Sequence, residues 1–239
     1  MEKVIIISLG GSIVAPDKPD EKFLGDFINL IKDLLLHDVA LKFIFVVGGG
    51  GPARSWQNSF KNISPVVGLQ NNDSPKMAAS ADWIGIMATR LNAQLVKELF
   101  GKLCTDAVIT DPSCSQNYFT SRILVASGWK PGFSTDNDAV LLAKRFGASS
   151  IINLSNIEKV YTDDPKKNPA AKPLDKISWD EFKTITGDKW VPGKNVPFDP
   201  VASRAAEEAG LTVICAAGSD LENLKNIIDG KEYNGTTIS

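Results

Sequence analysis

Two glycine-rich segments have the composition of phosphate-binding loops, and each follows a short apolar run. The first is SLGGS (residues 8–12) and the second is GGGG (residues 48–51). Backbone N–H groups bind anions closely where no Cβ intervenes, and four consecutive glycines cost about 1 kcal/mol each in folding free energy relative to alanine. A plain turn needs only one or two. The segment Pro52-Ala53-Arg54 then begins a predicted helix, whose N-terminus and Arg54 add positive charge beside the second loop.

A third loop, SGWKPGFST (residues 127–135), also follows an apolar run and is rich in hydroxyl groups. The chain has neither the GKS or GKT of a P-loop nor the GxGxxG of a dinucleotide-binding fold, so both of these readings lose their main support. Asp136, Asp138 and Asp164 are candidate ligands for Mg²⁺, which takes one or two carboxylates besides phosphate oxygens. A structural role in capping a helix or closing a turn stays open for each of them.

Composition argues against several other classes of protein. The net charge of the 239 residues is −2, so there is no basic excess for a nucleic-acid partner. His37 is the only histidine, which argues against a Ser-His-Asp triad. Three scattered cysteines without a CxxC pair argue against structural zinc and predict reduced thiols. The N-terminal apolar run resembles neither a signal peptide nor a membrane span, so we expect a cytoplasmic protein without a membrane partner.

Apolar runs alternate with helical patterns, which predicts a mainly parallel sheet covered by helices on both faces. The predicted strands are KVIIISL, FIFVV, DAVIT, RILVA, SSIINL, LTVICAA and a last edge strand, NGTTIS, after an Asn-Gly turn. Helices are expected over residues 23–34, over about 81–100, from about Thr135, and from an N-cap at Asp199 to Gly210. One face of the second helix carries Ile84, Met87, Leu91, Leu95 and Leu99. Ligands of such sheets bind beyond the carboxyl ends of the strands, where this chain has its glycines.

Seven segments in chain order resemble the amino acid kinase superfamily, and most closely the archaeal-type uridylate (UMP) kinases. They are SLGGS, VVGGGGPAR, ADWIGIMATRLNA, WKPGFSTDNDAVLLA, SNIEKVYTDDPKKNPAAK, DPVASRAAEEAG and NGTTI, and they extend from Val4 to Ile238. The resemblance implies an α/β fold, a three-layer α/β/α sandwich on a mainly parallel sheet (the amino acid kinase or carbamate kinase-like fold), in one domain over residues 1–239. It further implies a phosphoryl-acceptor and oligomerisation half over about 1–146 and an ATP-binding half over about 147–239.

The same resemblance implies a kinase that transfers the γ-phosphoryl group of Mg-ATP to UMP in pyrimidine nucleotide synthesis and assembles as a homohexamer. The catalytic candidates are Gly11, Gly50, Arg54 and Lys130. The ATP-binding candidates are Ser8, Leu9, Gly10, Gly11, Ser12, Gly50, Arg54, Ser155, Asn156, Tyr161 and Asp164. The UMP-binding candidates are Gly49, Asp82, Trp129, Lys130, Pro131, Gly132, Phe133, Ser134 and Thr135. Asp136 and Asp164 are the candidates for Mg²⁺.

One departure from the superfamily concerns the positive charge at the site of transfer. Most members have a lysine where this chain has Ser8. Transfer to a phosphate oxygen needs no general base, only positioning and positive charge on the phosphoryl oxygens. Mg²⁺, loop amides, Arg54 and Lys130 are the expected sources of that charge, and Arg90 and Lys159 are weaker candidates. Arg90, on an amphipathic helix, is more typical of a surface or interface residue.

Two alternatives to a UMP kinase stay open at the level of the sequence. The first is a non-catalytic protein that binds a nucleotide or an oxyanion, as the molybdenum-storage proteins of this fold do. The second is a superfamily kinase for another small phosphate or carboxylate. Asp82 and the run Ser134-Thr135-Asp136 favour UMP over this second alternative.

Overall fold

The computed structural model describes residues 2–69, 74–116, 119–165, 167–187 and 196–239. The strands are β1 (Lys3–Leu9), β2 (Leu41–Val47), β3 (Ile123–Ala126), β4 (Ser150–Ser155), β5 (Val160–Tyr161), β6 (Pro173–Leu174), β7 (Lys176–Ile177), β8 (Thr212–Ala217) and β9 (Thr236–Ile238). The helices are α1 (Gly11–Val14), α2 (Glu21–His37), α3 (Gly50–Ile63), α4 (Pro75–Phe100), α5 (Thr135–Phe146), α6 (Trp179–Thr186), α7 (Pro200–Glu208) and α8 (Leu221–Asp229).

The main sheet has the strand order β3-β2-β1-β4-β8-β9-β7. Every pair of neighbours is parallel except β8 and β9, which are antiparallel. β5 and β6 form a separate antiparallel pair. The predicted mainly parallel sheet is therefore confirmed.

Helices cover both faces of this sheet, as the side chains of β1 show. Ile5 and Ile7 point into a core formed with α2, α4 and α8, and Ile6 points into a second core formed with α5, α6 and α7. This alternation is the period of two expected of a strand. Being buried on both faces explains why the run KVIIISL is apolar almost throughout. The predicted three-layer α/β/α architecture is confirmed.

Two helix ends near the glycine loops carry side-chain caps: Asp199, as the sequence predicts, and Ser134, where the sequence suggests Asp136 instead. Asp199 caps α7, since its carboxylate accepts hydrogen bonds from the N–H groups of Val201 and Ala202 at 2.8 and 2.9 Å. Ser134 caps α5 in the same way by accepting from the N–H of Asn137 at 3.3 Å. These caps fix where α5 and α7 begin, beside the carboxyl ends of the strands.

Three predictions about elements are corrected. DAVIT is not a strand: Ile109 forms a single bridge with Ala126, and at the start of the segment the Asp106 carboxylate accepts hydrogen bonds from Thr120 and Ser121. β9 is not an edge strand, since the two-residue β7 pairs with its outer side. α4 begins at Pro75 rather than near residue 81, with Ser74 as its N-cap.

The apolar face predicted for α4 points largely away from the core. Met87, Leu91 and Leu99 are exposed, and the sheet instead contacts a second row that includes Ala93, Val96 and Phe100. Exposed apolar side chains of α3, among them Trp56 and Ile63, add to the surface. Helices α3 and α4 therefore present apolar groups on both their inner and outer sides.

Within the described ranges, no helix is both long and apolar enough to cross a membrane. Cys104, Cys114 and Cys215 are all free, as the sequence predicts.

Candidate active site

The order of the strands places a crevice at the carboxyl end of β1. The chain runs from β1 through β2 to β3 on one side and returns to β4 on the other side of β1. Parallel sheets bind ligands at such a reversal, because the loops that follow the two flanking strands diverge there. The first glycine loop (residues 8–12), the second glycine loop (residues 48–51) and the segment after Ser155 all begin at this edge.

The two glycine loops lie with their backbones against each other. A Cβ on Gly11 would overlap the backbone nitrogen of Gly50, and one on Gly48 would overlap that of Gly11. Gly50 also has φ +65°, a conformation that favours glycine. The sequence predicts that these glycines allow the close approach of an anion. The structure shows a second reason, which is the close approach of one loop to the other.

Four backbone N–H groups of the glycine loops are without a partner. The amides of Gly10, Gly48 and Gly51 donate to Leu154, Leu9 and Ala15, at 2.8 to 3.0 Å. In the part of the chain that the structure describes, no hydrogen bond is made by the N–H groups of Gly11, Ser12, Gly49 and Gly50. Free amides on facing loops at helix N-termini form a ready site for an oxyanion.

Helix α4 supports the second glycine loop through a residue that the sequence analysis missed. The Asn92 side chain is buried, and its Nδ2 donates to the carbonyl oxygens of Gly48 and Gly49 at 2.9 and 3.2 Å. The only sequence signal is an amide side chain on the buried side of a helix. That signal does not reveal a partner more than forty residues away.

A cavity of about 270 Å³ opens beside the second glycine loop. Its walls are Gly49, Gly50, Ala53, Gln57, Asp82, Gly85, Ile86, Thr89, Gly128, Gly132, Phe133, Ser134, Thr135 and Asp199. No lysine or arginine among the described residues lines it, although two carboxylates do. An anion bound at the mouth of this cavity would therefore depend chiefly on the backbone N–H groups.

Gln57 is a cavity residue that the sequence did not reveal. Its Nε2 donates to the carbonyl oxygen of Ala81 at 3.0 Å, across the contact between α3 and α4. A Cβ on Gly85 would lie 2.5 Å from that nitrogen, so a glycine inside α4 makes room for the amide. Glycine in a helix interior costs about 0.5–1 kcal/mol relative to alanine. The local signal was thus a helical glycine without a turn to explain it.

Most of the predicted UMP-binding residues lie in one loop (residues 127–135, the acceptor loop), and only some of them line the cavity. Gly132, Phe133, Ser134 and Thr135 line the cavity together with Gly49 and Asp82, and the Asp82 carboxylate accepts from the N–H of Gly132 at 3.0 Å. Trp129, Lys130 and Pro131 are not among the wall residues. The Lys130 ammonium instead lies 3.7 Å from the ring centre of Trp129 and 4.9 Å from that of Phe133.

Asp136 connects the first glycine loop to α7. Ser8 Oγ donates to its Oδ1 at 3.0 Å, and the N–H of Asp199 donates to its Oδ2 at 3.2 Å. Burial, with a further contribution from the Asp199 carboxylate, raises the pKa of Asp136 to about 6. Ser8, which stands where most of the superfamily has lysine, thus orients a carboxylate.

Mg²⁺ has one suitable carboxylate at this crevice. Within the described ranges, no three His, Cys, Asp or Glu side chains are grouped as a metal site. Mg²⁺ binds nucleotides through one or two carboxylates plus phosphate oxygens, and a cation would relieve the repulsion between Asp136 and Asp199. Asp136 therefore fits a Mg²⁺ ligand. Asp164, the other candidate, lies on an exposed turn after β5, 3.8 Å from the Lys167 ammonium.

Arg54 lies on the first turns of α3 with an exposed guanidinium group. Its Nη2 donates to the carbonyl oxygen of Pro16 at 3.4 Å, just beyond α1. It is not among the residues that line the cavity. Arg54 therefore lies one turn beyond the second glycine loop, in contact with the segment that follows α1, and outside the cavity walls.

The predicted ATP-binding residues begin next to the first glycine loop. The N–H of Gly10 donates to the carbonyl oxygen of Leu154 at 2.9 Å, and Ser155 and Asn156 continue from there. Tyr161 lies in β5, which pairs with β6. The weaker cationic candidate in this region, Lys159, forms an ion pair with Asp175.

Comparison with known proteins agrees with this geometry. The model of the amino acid kinase family matches residues 3–217. The uridylate kinase of Pyrococcus abyssi is 33% identical over 237 residues, which span 98% of each chain. That of Methanospirillum hungatei is 32% identical over 239 residues, spanning 98% of this chain and 94% of its own. The crystal structure of uridylate kinase from Archaeoglobus fulgidus superposes with a TM-score of 0.77 at 29% identity, covering 99% of this chain and 100% of its own. The chain belongs to the amino acid kinase family.

Proposed function

We propose that the protein is a UMP kinase, a nucleoside monophosphate kinase that uses ATP to convert UMP to UDP in pyrimidine nucleotide synthesis. The observation that carries this proposal is the set of four unpartnered N–H groups on the two interlocked glycine loops, beside a cavity for an acceptor. The similarity to uridylate kinases over nearly the whole chain supports UMP as that acceptor.

In the proposed reaction, a phosphate oxygen of UMP attacks the γ-phosphorus of ATP. A new P–O bond forms as the bond from the γ-phosphorus to the β–γ bridging oxygen breaks, and ADP leaves with that oxygen. The attacking oxygen is already anionic, so no side chain has to remove a proton. The chain contributes in-line positioning and hydrogen bonds to the transferring group from Gly11, Ser12, Gly49 and Gly50.

The remaining positive charge would come from two side chains and a metal ion. Arg54 lies one turn beyond the second glycine loop and contacts Pro16, and Lys130 packs on Phe133, which lines the cavity. Asp136 would hold Mg²⁺, which neutralises charge on the phosphates when bound. Asp164 is the second proposed ligand.

The proposal assigns the two substrates to the two sides of β1. UMP would bind in the cavity against Asp82 and residues 132–135, with Trp129, Lys130 and Pro131 closing the acceptor loop behind it. ATP would bind across residues 8–12 and the segment that carries Ser155, Asn156, Tyr161 and Asp164. The acceptor half is then about residues 1–146, and the ATP half is about 147–239.

The outer face of α3 and α4 belongs to the same proposal. Its exposed apolar side chains, among them Trp56, Met87 and Leu91, favour burial between copies of the chain. We propose a homo-oligomer, a hexamer by resemblance to the family, and the three free cysteines favour a cytoplasmic location.

The test is turnover with a panel of nucleoside monophosphates and Mg-ATP, with coupled detection of ADP. UMP should be phosphorylated with a higher kcat/KM than CMP, GMP or AMP. Binding of ATP without UDP formation would overturn the kinase assignment, and preference for another acceptor would overturn UMP.

Arg54 can be tested within the same assay. The variant R54A should mainly lower kcat, because the guanidinium would meet charge that develops during transfer. R204A, which removes an exposed arginine of α7, is the matched control. An effect of R54A confined to KM would contradict a role in the transition state.

A further inference from the structure

The peptide groups at the start of the acceptor loop are held by side chains from two helices. The N–H of Trp129 donates to Oδ2 of Asp138, on α5, at 3.2 Å. The carbonyl oxygen of the same residue accepts from Nη2 of Arg90, on α4, at 3.3 Å. One residue earlier, the N–H of Gly128 donates to Oγ1 of Thr89 at 2.9 Å. Helices α4 and α5 thus hold the loop from both sides.

Arg90 and Asp138 are also unusual in how they are buried. In the described part of the chain, the buried side-chain atoms without a hydrogen-bond partner are Nε of Arg90 and Oδ1 of Asp138. A buried polar atom without a partner weakens folding relative to an apolar replacement. Two such atoms, on the two side chains that hold the N–H and the C=O of one residue, indicate a role other than stabilising the fold.

The side chain of Trp129 connects the restrained backbone of this residue to the wall of the cavity. Its indole group interacts with the Asp111 carboxylate. Its ring centre lies 4.9 Å from that of Phe133, which lines the cavity, and 3.7 Å from the Lys130 ammonium. The position of Trp129 therefore influences where the side chains of Lys130 and Phe133 lie.

We propose that Arg90 and Asp138 are positioning residues that hold the acceptor loop, through the backbone N–H and C=O of Trp129, in the conformation that binds the acceptor nucleotide. The proposal rests on the proposed function for the identity of that nucleotide. The two residues act on the loop and not on ATP, because the loop forms a wall of the acceptor cavity.

The first test compares KM values for the two substrates in R90M and D138A. Each variant removes one hydrogen bond to the Trp129 backbone, so KM for UMP should rise roughly tenfold while KM for ATP stays within about threefold. R90K and D138N keep a donor and an acceptor, respectively, and should restore most of the affinity for UMP. The double variant R90M/D138A should be little worse than either single variant, because both side chains restrain the same residue, Trp129.

The second test does not depend on activity. Amide hydrogen exchange of residues 127–135 should be faster in R90M and D138A than in the wild type, and unchanged in R204M and E222A, which alter exposed residues of α7 and α8. Unchanged exchange in the loop, or an unchanged KM for UMP in folded R90M and D138A, would overturn the proposal. An equal rise in the KM values of both substrates, with lower stability to urea, would also overturn it by showing a general structural role.

Turnover assays of the wild-type enzyme distinguish a failure of the proposed function from a failure of this proposal. Turnover of an acceptor other than UMP would contradict the UMP assignment, and the variants would then be judged by KM for that acceptor. If no acceptor is turned over, the exchange measurement alone decides whether Arg90 and Asp138 hold the loop.

Discussion

Gly11 and Gly25 show how differently two glycines of one chain are constrained. A Cβ at Gly11 would overlap the backbone of the second glycine loop, whereas nothing lies within 4 Å of a Cβ at Gly25, on α2. We expect G11A to destabilise the fold by about 1–3 kcal/mol and to lower kcat/KM at least tenfold, because the loops must separate. We expect G25A to raise the free energy of unfolding by about 0.5–1 kcal/mol without changing activity.

Urea unfolding and steady-state kinetics on both variants test this pair. Equal effects of G11A and G25A on activity would contradict the interlocked loops. A G11A variant as active as the wild type would show that the unpartnered amides tolerate a shift of the loops, and that would weaken the proposed function as well.

Asp138 predicts an unusual dependence of stability on pH. Burial, with smaller contributions from the carboxylates of Asp136 and Asp111, raises the pKa of Asp138 to about 7, while the Trp129 N–H opposes the shift. In the unfolded chain this pKa is about 3.9. The stability associated with Asp138 is therefore complete below about pH 4 and is lost as the pH rises to about 7.

The variant D138N removes this titration and keeps an acceptor for the Trp129 N–H. Its free energy of unfolding should exceed that of the wild type by at least about 1 kcal/mol at pH 8, and the difference should shrink towards pH 4. Asp136 titrates in both proteins, so its contribution cancels in the comparison except for its repulsion with the Asp138 carboxylate, which D138N removes. Parallel pH profiles from urea unfolding would contradict a raised pKa for Asp138.

The glycine loops could be predicted from the residues alone, but their supports could not. A run of four glycines after an apolar strand is a local signal. Asn92, Thr89 and Arg90 contact loop residues 39 to 44 positions away, and each looks like an ordinary polar residue of an amphipathic helix. Contacts over such separations follow from the packing of α4 on the sheet, which no short segment encodes.

At the scale of elements, α4 shows what hydrophobic periodicity leaves undecided. The spacing of its apolar residues correctly predicts a helix, but both sides of that helix carry apolar groups, and the sheet packs on only one of them. Hydrophobic periodicity identifies a row of apolar residues on a helix, but it does not identify the element that packs against that row. The predicted stripe through Met87 and Leu91 is the outer one.

The outer stripe gives a prediction about assembly. Leu91, on α4, is 72% exposed, and Leu36, on α2, is 78% exposed. L91E should shift the protein to a smaller species in multi-angle light scattering, because a charge would be placed in the proposed subunit contact. L36E should leave the mass unchanged. A wild type that is monomeric at micromolar concentration, or an L91E variant of unchanged mass, would contradict an interface on this face.

Strand prediction failed where apolar composition was not accompanied by a pairing partner. DAVIT and RILVA have similar compositions, but only residues 123–126 of the second segment form a strand of the sheet. The earlier segment pairs with β3 only at Ile109, whose N–H donates to Val125 and whose carbonyl oxygen accepts from the N–H of Ser127. Likewise, the sequence predicts β9 as an edge strand, because β7 has only two residues, which are too few to form a recognisable strand pattern.

At the scale of the whole molecule, burial separates the three thiols. Burial raises the pKa of the Cys104 thiol to about 11 and that of Cys215 to about 12, whereas Cys114 is only partly buried. At pH 8, one thiol of the native protein should react rapidly with a disulfide reagent, and all three should react in denaturant. C114S should show no rapid reaction. Fast labelling of C114S would contradict the burial of the other two.

The architecture was the most predictable property of this chain. The least predictable was which half binds which of the two proposed substrates. Apolar segments that alternate with helical ones predict a mainly parallel sheet with helices on both faces, and this prediction depends little on the individual residues. The assignment of ATP to residues 147–239 rests on family resemblance, since the segment after β4 carries no phosphate-binding signal as strong as the four glycines of 48–51.

The position of β1 between β2 and β4 has a consequence for synthesis on the ribosome. β1 can pair with β2 once the first 47 residues have emerged, but its other edge has no partner until residues 150–155 follow. At about 5–20 residues per second, that edge stays open for roughly 5–20 s. An apolar strand with unpaired N–H and C=O groups invites pairing with another nascent chain. The yield of native protein should therefore depend on how fast residues 48–149 are translated, and slow codons there would favour aggregation.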